Sequence, residues 1–231
     1  MEAGRGGAIL RRRSTRTDAT DGPCPATPRP IPPATRRGVL DAALAEFAAK
    51  GSAGARVDEI AARADANKRM IYAYYGSKED LWLAVLERAY TAKRDGEHAL
   101  DVGALPPREA MAKLVSFNLR YTSAHPEFVA LLNDENLNRA AHLKRSAEVR
   151  ALYTPLLDTL RAVLARGEEE GAFRRDVDPM QFYITLVGIG HFYVANSHTL
   201  SAIFGSGLTT KKALAAREAH CVDVILGYLR P

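Results

Sequence analysis

From Thr35 onward apolar residues recur at helical spacing, and that period dominates the chain. Val39, Ala43 and Phe47 share one stripe, flanked by Leu40 and Leu44, and Gly51 ends the first helix. A short helix follows with Val57, Ile60, Ala61 and Ala64 inward, and Asp58 and Glu59 suit its positive N-terminal end. After a turn at Asp65-Ala66, Asn67 can cap a third helix holding Met70, Ile71, Tyr74 and Tyr75, which Gly76 breaks. Ser77-Lys78-Glu79-Asp80 then reads as the capped start of a long helix running towards Leu100, with Leu81, Trp82, Val85, Leu86 and Ala89 on its apolar face.

Further helices are legible at about 108–123, 127–138, 143–170, 179–204 and 211–229. His125-Pro126 and Asp178-Pro179-Met180-Gln181 mark two of the starts, because proline is tolerated in the first helical position. Pro155 is expected to kink or divide the helix that contains it. No stretch alternates with period two and no internal repeat is visible, so the fold class is all-α.

Composition changes the picture mainly at the N-terminus. Residues 1–34 are rich in Gly, Pro, Thr and Arg, with prolines at 23, 25, 28, 30, 32 and 33, and are expected to be a disordered basic tail. Two readings of it stand: a solvated leader, or an arm that adds non-specific attraction to phosphate. The net charge of +5 belongs to this stretch, since eight arginines and three acids fall before Gly38 and the other 24 basic and 24 acidic residues cancel. A basic balance therefore says little about the folded part. The 231 residues suit a small domain joined to a larger one, here 35–80 and 81–231. Two cysteines, Cys24 and Cys221, make no disulfide framework and no metal site. No run reaches the roughly 20 apolar residues of a membrane span; Ile184 to Ala195 is too short, and Ala8-Ile9-Leu10 cannot serve as a signal-peptide core. A cytoplasmic location without membrane attachment is expected.

The strongest functional signal is Gly51 to Leu81. Two short amphipathic helices joined by a tight turn, after one supporting helix, form a helix-turn-helix whose second member can enter the major groove. Asn67, Lys68 and Arg69 occupy its first turn, where side chains reach base edges and phosphates. Tyr72 and Tyr74 lie away from Ile71 and Tyr75, so their hydroxyls are expected to meet the DNA backbone, and Lys78 adds a cation at the next helix start.

The run from Ile60 to Leu81, with Ala42-Ala43, Phe47 and Gly51 upstream, resembles the DNA-binding signature of the TetR family of transcriptional regulators. Where that family usually carries Thr or Ser before the second helix, this chain has Ala55-Arg56, which transfers the phosphate contact to Arg56; Asp65 replaces the turn glycine, and Tyr75 the common Phe. The resemblance implies a repressor released from a pseudo-palindromic operator by a small molecule, acting as a homodimer and needing no cofactor. The segments His125 to Asn136, His142 to Arg145 and Ser197 to Gly205 resemble regulators of pyrimidine or nicotinate catabolism, which implies a nitrogen heterocycle as effector.

For the effector pocket the candidates are Phe117, Asn118, Tyr121, Asn136, Tyr153, Tyr183 and His191, with Trp82 at the junction; Asn118 shares the stripe of Met111, Leu114 and Val115, a polar residue on a buried face. Simple core packing is the competing explanation for each aromatic. The last two helices are the dimer candidates. Ile184, Val187, Gly188 and Val194 offer a stripe with room for close approach, and Cys221, Val224, Ile225 and Tyr228 offer a second. Two other classes compete with a regulator. An enzyme would need a phosphate loop, nucleophile elbow or metal-spaced cluster, none of which is visible; a helical interaction protein would bind no operator.

Overall fold

Periodicity sets which face of a helix is buried, while capping groups set where it starts. The computed structural model describes residues 33–231, and the expectations for the N-terminal tail lie outside the described residues. The elements are α1 (Pro33–Gly54), α2 (Val57–Arg63), α3 (Lys68–Tyr75), α4 (Lys78–His98), α5 (Pro107–Ala124), α6 (Pro126–Leu137), a 3-10 turn (Leu143–Arg145), α7 (Ala147–Glu169), α8 (Pro179–Ala195), α9 (Ser197–Phe204) and α10 (Lys211–Tyr228). There is no strand among the described residues. Side chains of Asn67, Ser77, Ser146, Asp178 and Thr210 each accept a backbone N–H at the start of a helix, which satisfies one of its orphan donors.

Two apolar cores organise the bundle. The first joins Val39, Ala43 and Phe47 of α1, Ile60 of α2, Ile71 of α3, Leu81, Trp82 and Leu86 of α4, and Leu131 of α6. The second joins Met111 and Val115 of α5, Leu160 and Val163 of α7, Phe182 and Leu186 of α8, and Cys221 and Ile225 of α10. Tyr90, Phe128 and Val149 make a smaller third cluster. The first half of α4 belongs to the first core, and its Tyr90 to the third.

Three sequence expectations are corrected. Pro155 does not divide its helix, because it faces solvent and the carbonyl it leaves without a donor belongs to the exposed Ala151, within reach of water. The helix expected over 143–170 instead opens as a 3-10 turn, and α7 starts afresh from the Ser146 cap, whose Oγ accepts the Val149 N–H at 3.1 Å. The helix expected over 179–204 is two helices. Asn196 leaves helical geometry (φ −106°, ψ 11°), and its side-chain N–H donates to the Phe192 carbonyl at 2.9 Å.

Candidate functional site

Val57, Ile60, Ala61 and Ile71 are buried, and this shared apolar contact holds α2 and α3 as a pair. Asp65 takes the left-handed conformation (φ 47°) in the turn between them, which Asp tolerates better than most residues. Asn67 Oδ1 accepts the Arg69 N–H at 2.8 Å. Arg56, Asn67, Lys68, Arg69 and Tyr72 are all exposed. Arg56 stands at the α2 start without a side-chain cap; its backbone N–H donates to Glu46 Oε1 at 3.3 Å. Glu46 is itself buried, with Lys50 Nζ at 2.7 Å and Arg63 at 3.8 Å. The Lys50 bond holds its carboxyl below the usual range despite burial.

Two cations of this surface are engaged within the protein. Lys68 Nζ sits 2.7 Å from Asp58 Oδ1, and Lys78 Nζ donates to the Ala53 carbonyl at 3.0 Å. The Lys68–Asp58 hydrogen bond raises the lysine's pKa and lowers that of the aspartate, so both stay charged near neutrality. Tyr74 departs from expectation. Its hydroxyl oxygen is buried without a hydrogen-bond partner, because Tyr74 is half covered and turns its tip into the protein, while Tyr72 remains 39% exposed.

The helix-turn-helix is clamped from α6. Gly51 interrupts α1 with φ 71° and ψ 171°, and an added Cβ there would sit 2.6 Å from Asp134 Oδ1. Asp134 Oδ2 accepts the Ser52 N–H at 3.2 Å. The next residue, Glu135, is buried and accepts from Trp82 Nε1 at 3.0 Å and from the backbone N–H groups of His142 and Leu143, both at 2.9 Å; His142 Nδ1 lies 2.8 Å from its Oε2. Burial pushes this carboxyl up, but those donors outweigh it and the net pKa is lowered. Trp82 packs edge-on against Phe47 at 5.0 Å, so both its ring and its N–H are used internally. It is a core residue of the reading unit and offers nothing to an effector.

Of the other pocket candidates, Asn136 is exposed, with its side-chain N–H donating to Leu132 O at 2.9 Å on its own helix, and it leaves the set. Phe117, Tyr121, Tyr153 and Tyr183 form a chain of ring contacts with Tyr90 and Phe128: Phe117–Tyr121 at 5.5 Å, Tyr121–Phe128 at 5.9 Å, Tyr90–Phe128 at 5.5 Å, Tyr90–Tyr153 at 6.1 Å and Tyr153–Tyr183 at 5.9 Å. Asn118 is buried between Phe117 and Tyr121 in sequence, with its carbonyl oxygen lacking a partner. His191 is half-buried, and its pKa is lowered by burial first and by the charge of Lys93 second.

Against these rings lie three charged residues of α4 that sequence reading missed. Lys93, Arg94 and Glu97 are 3%, 7% and 8% exposed. Lys93 Nζ stands 5.3 Å from the Phe128 ring centre and the Arg94 guanidinium 4.9 Å from that of Tyr153. Arg94 Nη1 is 2.8 Å from Glu97 Oε2, yet its N–H bonds do not point at that oxygen, and no guanidinium nitrogen makes a hydrogen bond among the described residues. Burial holds Lys93 down at about 8 and raises Glu97, while Tyr90 and Tyr153 are pushed up to about 12, again chiefly by burial. A signal existed. Continuing the stripe Trp82, Leu86, Tyr90 by its own period reaches Lys93 and Glu97.

On the outer side of α8 and α10, Ile184, Val224 and Tyr228 are 56%, 41% and 48% exposed, and Phe192 adds an uncovered ring. Gly188 is exposed, and Val187 and Val194 are half-buried. Cys221 and Ile225 are corrected: at 1% and 0% exposure they face the second core, one helical turn of α10 away from the outward residues. Among the described residues no group of three His, Cys, Asp or Glu is placed to hold a metal ion, and no helix is long and apolar enough to cross a membrane.

Residues 39–85 match the family model for bacterial regulatory proteins of the tetR family, and residues 107–225 match that for the tetracyclin repressor-like C-terminal domain. The chain is 36% identical over 196 residues to the HTH-type transcriptional repressor NicS of Pseudomonas putida, covering 85% of this chain and 92% of that one. It is 34% identical to the HTH-type transcriptional repressor SCO4008 of Streptomyces coelicolor, over 76% of this chain and 86% of the relative. Among solved structures, the transcriptional regulator SCO4942 of Streptomyces coelicolor aligns with a TM-score of 0.64 at 27% identity, over 85% and 99% of the two chains. FadR of Bacillus subtilis, solved with stearoyl-CoA, shares the fold with a TM-score of 0.67 at 16% identity, over 84% and 100%.

Proposed function

The chain belongs to the TetR family of bacterial regulatory proteins, and from that premise we propose that it is an operator-binding repressor released by a small-molecule effector. The observation that carries this reading is the α2–α3 pair, whose second helix presents Asn67, Lys68 and Arg69 at an exposed, capped N-terminus. Residues 35–80 would read DNA and 81–231 would sense and dimerise, with the effector drawn from the nitrogen heterocycles that the C-terminal resemblance implies. The protein works in the cytoplasm without catalysis or cofactor. Arg56, Asn67, Lys68, Arg69, Tyr72 and Lys78 supply the DNA contacts in this reading. Lys68 gives up Asp58, and Lys78 the Ala53 carbonyl, for phosphate, a local exchange that leaves the fold untouched.

Coupling runs through two routes. Helix α4 joins the first core to the buried charges at its far end, and α6 holds α1 through Asp134 and α4 through Glu135. An effector that shifts α6 or α4 changes how the reading unit is held, and so the population of operator-competent dimers.

The test is binding to DNA from upstream of the protein's own gene as salt is varied. Wild type should bind one upstream segment far more tightly than random DNA. Lys68→Ala with Lys78→Ala should weaken binding and flatten the dependence of log K on log salt by nearly two units, at roughly 0.9 per lost phosphate contact. Unchanged slope in a folded double variant would remove these residues from the interface. Equal affinity for every sequence would favour a helical interaction protein instead.

A further inference from the structure

We propose that Lys93 and Arg94 form a buried anion site that takes the carboxylate of a small aromatic or heteroaromatic acid. The inference rests on the effector-released regulator described above, and it names the chemistry its core would recognise.

The charge count is the first support. Two cations and one acid sit within two turns of α4, each at least nine-tenths buried, so one positive charge is left without a partner in the triad. Isolated buried charge is expensive, and a protein keeps it only where something compensates it. The second support is geometry. Arg94 presents three nitrogens that make no hydrogen bond, and its single acidic contact is out of line with the N–H bonds. A guanidinium with unused donors in a dry interior matches the two oxygens of a carboxylate, which it binds through parallel hydrogen bonds. Asn118, whose carbonyl oxygen is buried and unpartnered, could accept from an N–H or O–H of the same molecule.

The walls specify the rest of the ligand. Phe128 lies under Lys93 and Tyr153 under Arg94, with Tyr90 between those two rings, so the cations emerge from a surface of aromatic faces. Phe117 packs so closely on Gly96 that a Cβ there would sit 2.8 Å from the ring, which limits length on that side. A cavity of about 250 Å³ borders the same cluster, lined by Ala89, Ala92, Tyr121 and Phe128 among others. That space admits a single planar ring. Because Phe128 lies on α6, the helix that also carries Asp134 and Glu135, occupancy has a direct path to the reading unit.

The experiment uses the full chain, with benzoate and nicotinate set against benzamide and nicotinamide, which keep the ring and lose the charge. Calorimetric titration at pH 7 should show a carboxylate binding at least roughly tenfold more tightly than its amide, as expected for a charge-assisted pair. Arg94→Met and Arg94→Lys should both melt cooperatively. The Met variant should lose carboxylate preference, and the Lys variant should keep part of it. Amides binding as well as acids, undiminished preference in folded Arg94→Met, or no binding by either acid overturns the site. Operator release is read separately by fluorescence anisotropy of bound DNA. A carboxylate that binds through Arg94 without releasing operator leaves the anion site standing and defeats the effector reading.

Discussion

Lys93 carries the most informative titration in the molecule. The groups around it are Arg94 and Glu97 on α4, the Phe128 ring on α6 and His191 on α8. Burial, partly offset by Glu97, brings its pKa from the model-peptide 10.5 down to about 8. Below that value the lysine is charged in both folded and unfolded chains, so it gives stability no slope with pH. Between about 8 and 10.5 the unfolded chain binds more protons, and stability rises with pH. Tyr90 and Tyr153 act in the opposite sense: held up at about 12 against 10.0, they keep protons that the unfolded chain releases, so stability falls above pH 10. Urea midpoints should therefore rise from pH 8 to 10 and then decline. Lys93→Met should lack the rise and keep the decline; an identical rise in the variant would place the titrating group elsewhere.

Helix α1 shows how one element can be set by another. Its break at Gly51 needs a left-handed residue, and Asp134 of α6 fills the space a side chain would occupy. Gly51→Ala meets both obstacles. It should cost about 1–2 kcal/mol from the backbone term alone, visible as a lower urea midpoint. Because the α1–α6 clamp then has to shift, operator affinity should fall more than in a surface variant such as Glu169→Ala. Equal operator binding by the two would mean that this clamp does not position the reading helix. The sequence carried the glycine as a helix stop. It did not carry the partner, since Asp134 lies 82 residues from Ser52 and no local pattern links them.

At the scale of the molecule, the outward residues of α8 and α10 form an apolar face that a monomer leaves in water. A two-fold partner laid on that face would set two α3 helices about 34–36 Å apart, or a multiple of one turn, for a pseudo-palindromic site. Ile184→Asp with Val224→Asp should shift sedimentation from dimer to monomer and weaken operator binding while the fold persists, because both positions are exposed. A dimer that survives both charges would move the interface to another surface. Cys221 and Ile225 make the internal contrast. Ile225→Asp should unfold the protein instead of dissociating it, since its side chain lies in the second core.

Most of what local physics decides was readable along the chain. Helical period, the caps at Asn67, Ser77 and Asp178, the proline starts and the spacing of the helix-turn-helix depend on neighbours within four residues, so the all-α class and the reading unit were legible. Choices made between distant elements were not. Whether Cys221 or Val224 faced out, whether Trp82 met an effector or Glu135, whether Tyr74 kept its hydroxyl in water, and whether Lys93 and Arg94 were solvated or buried all depended on which helix packed beside them. A side chain's burial is set by the surface opposite it, and only the tertiary structure supplies that surface.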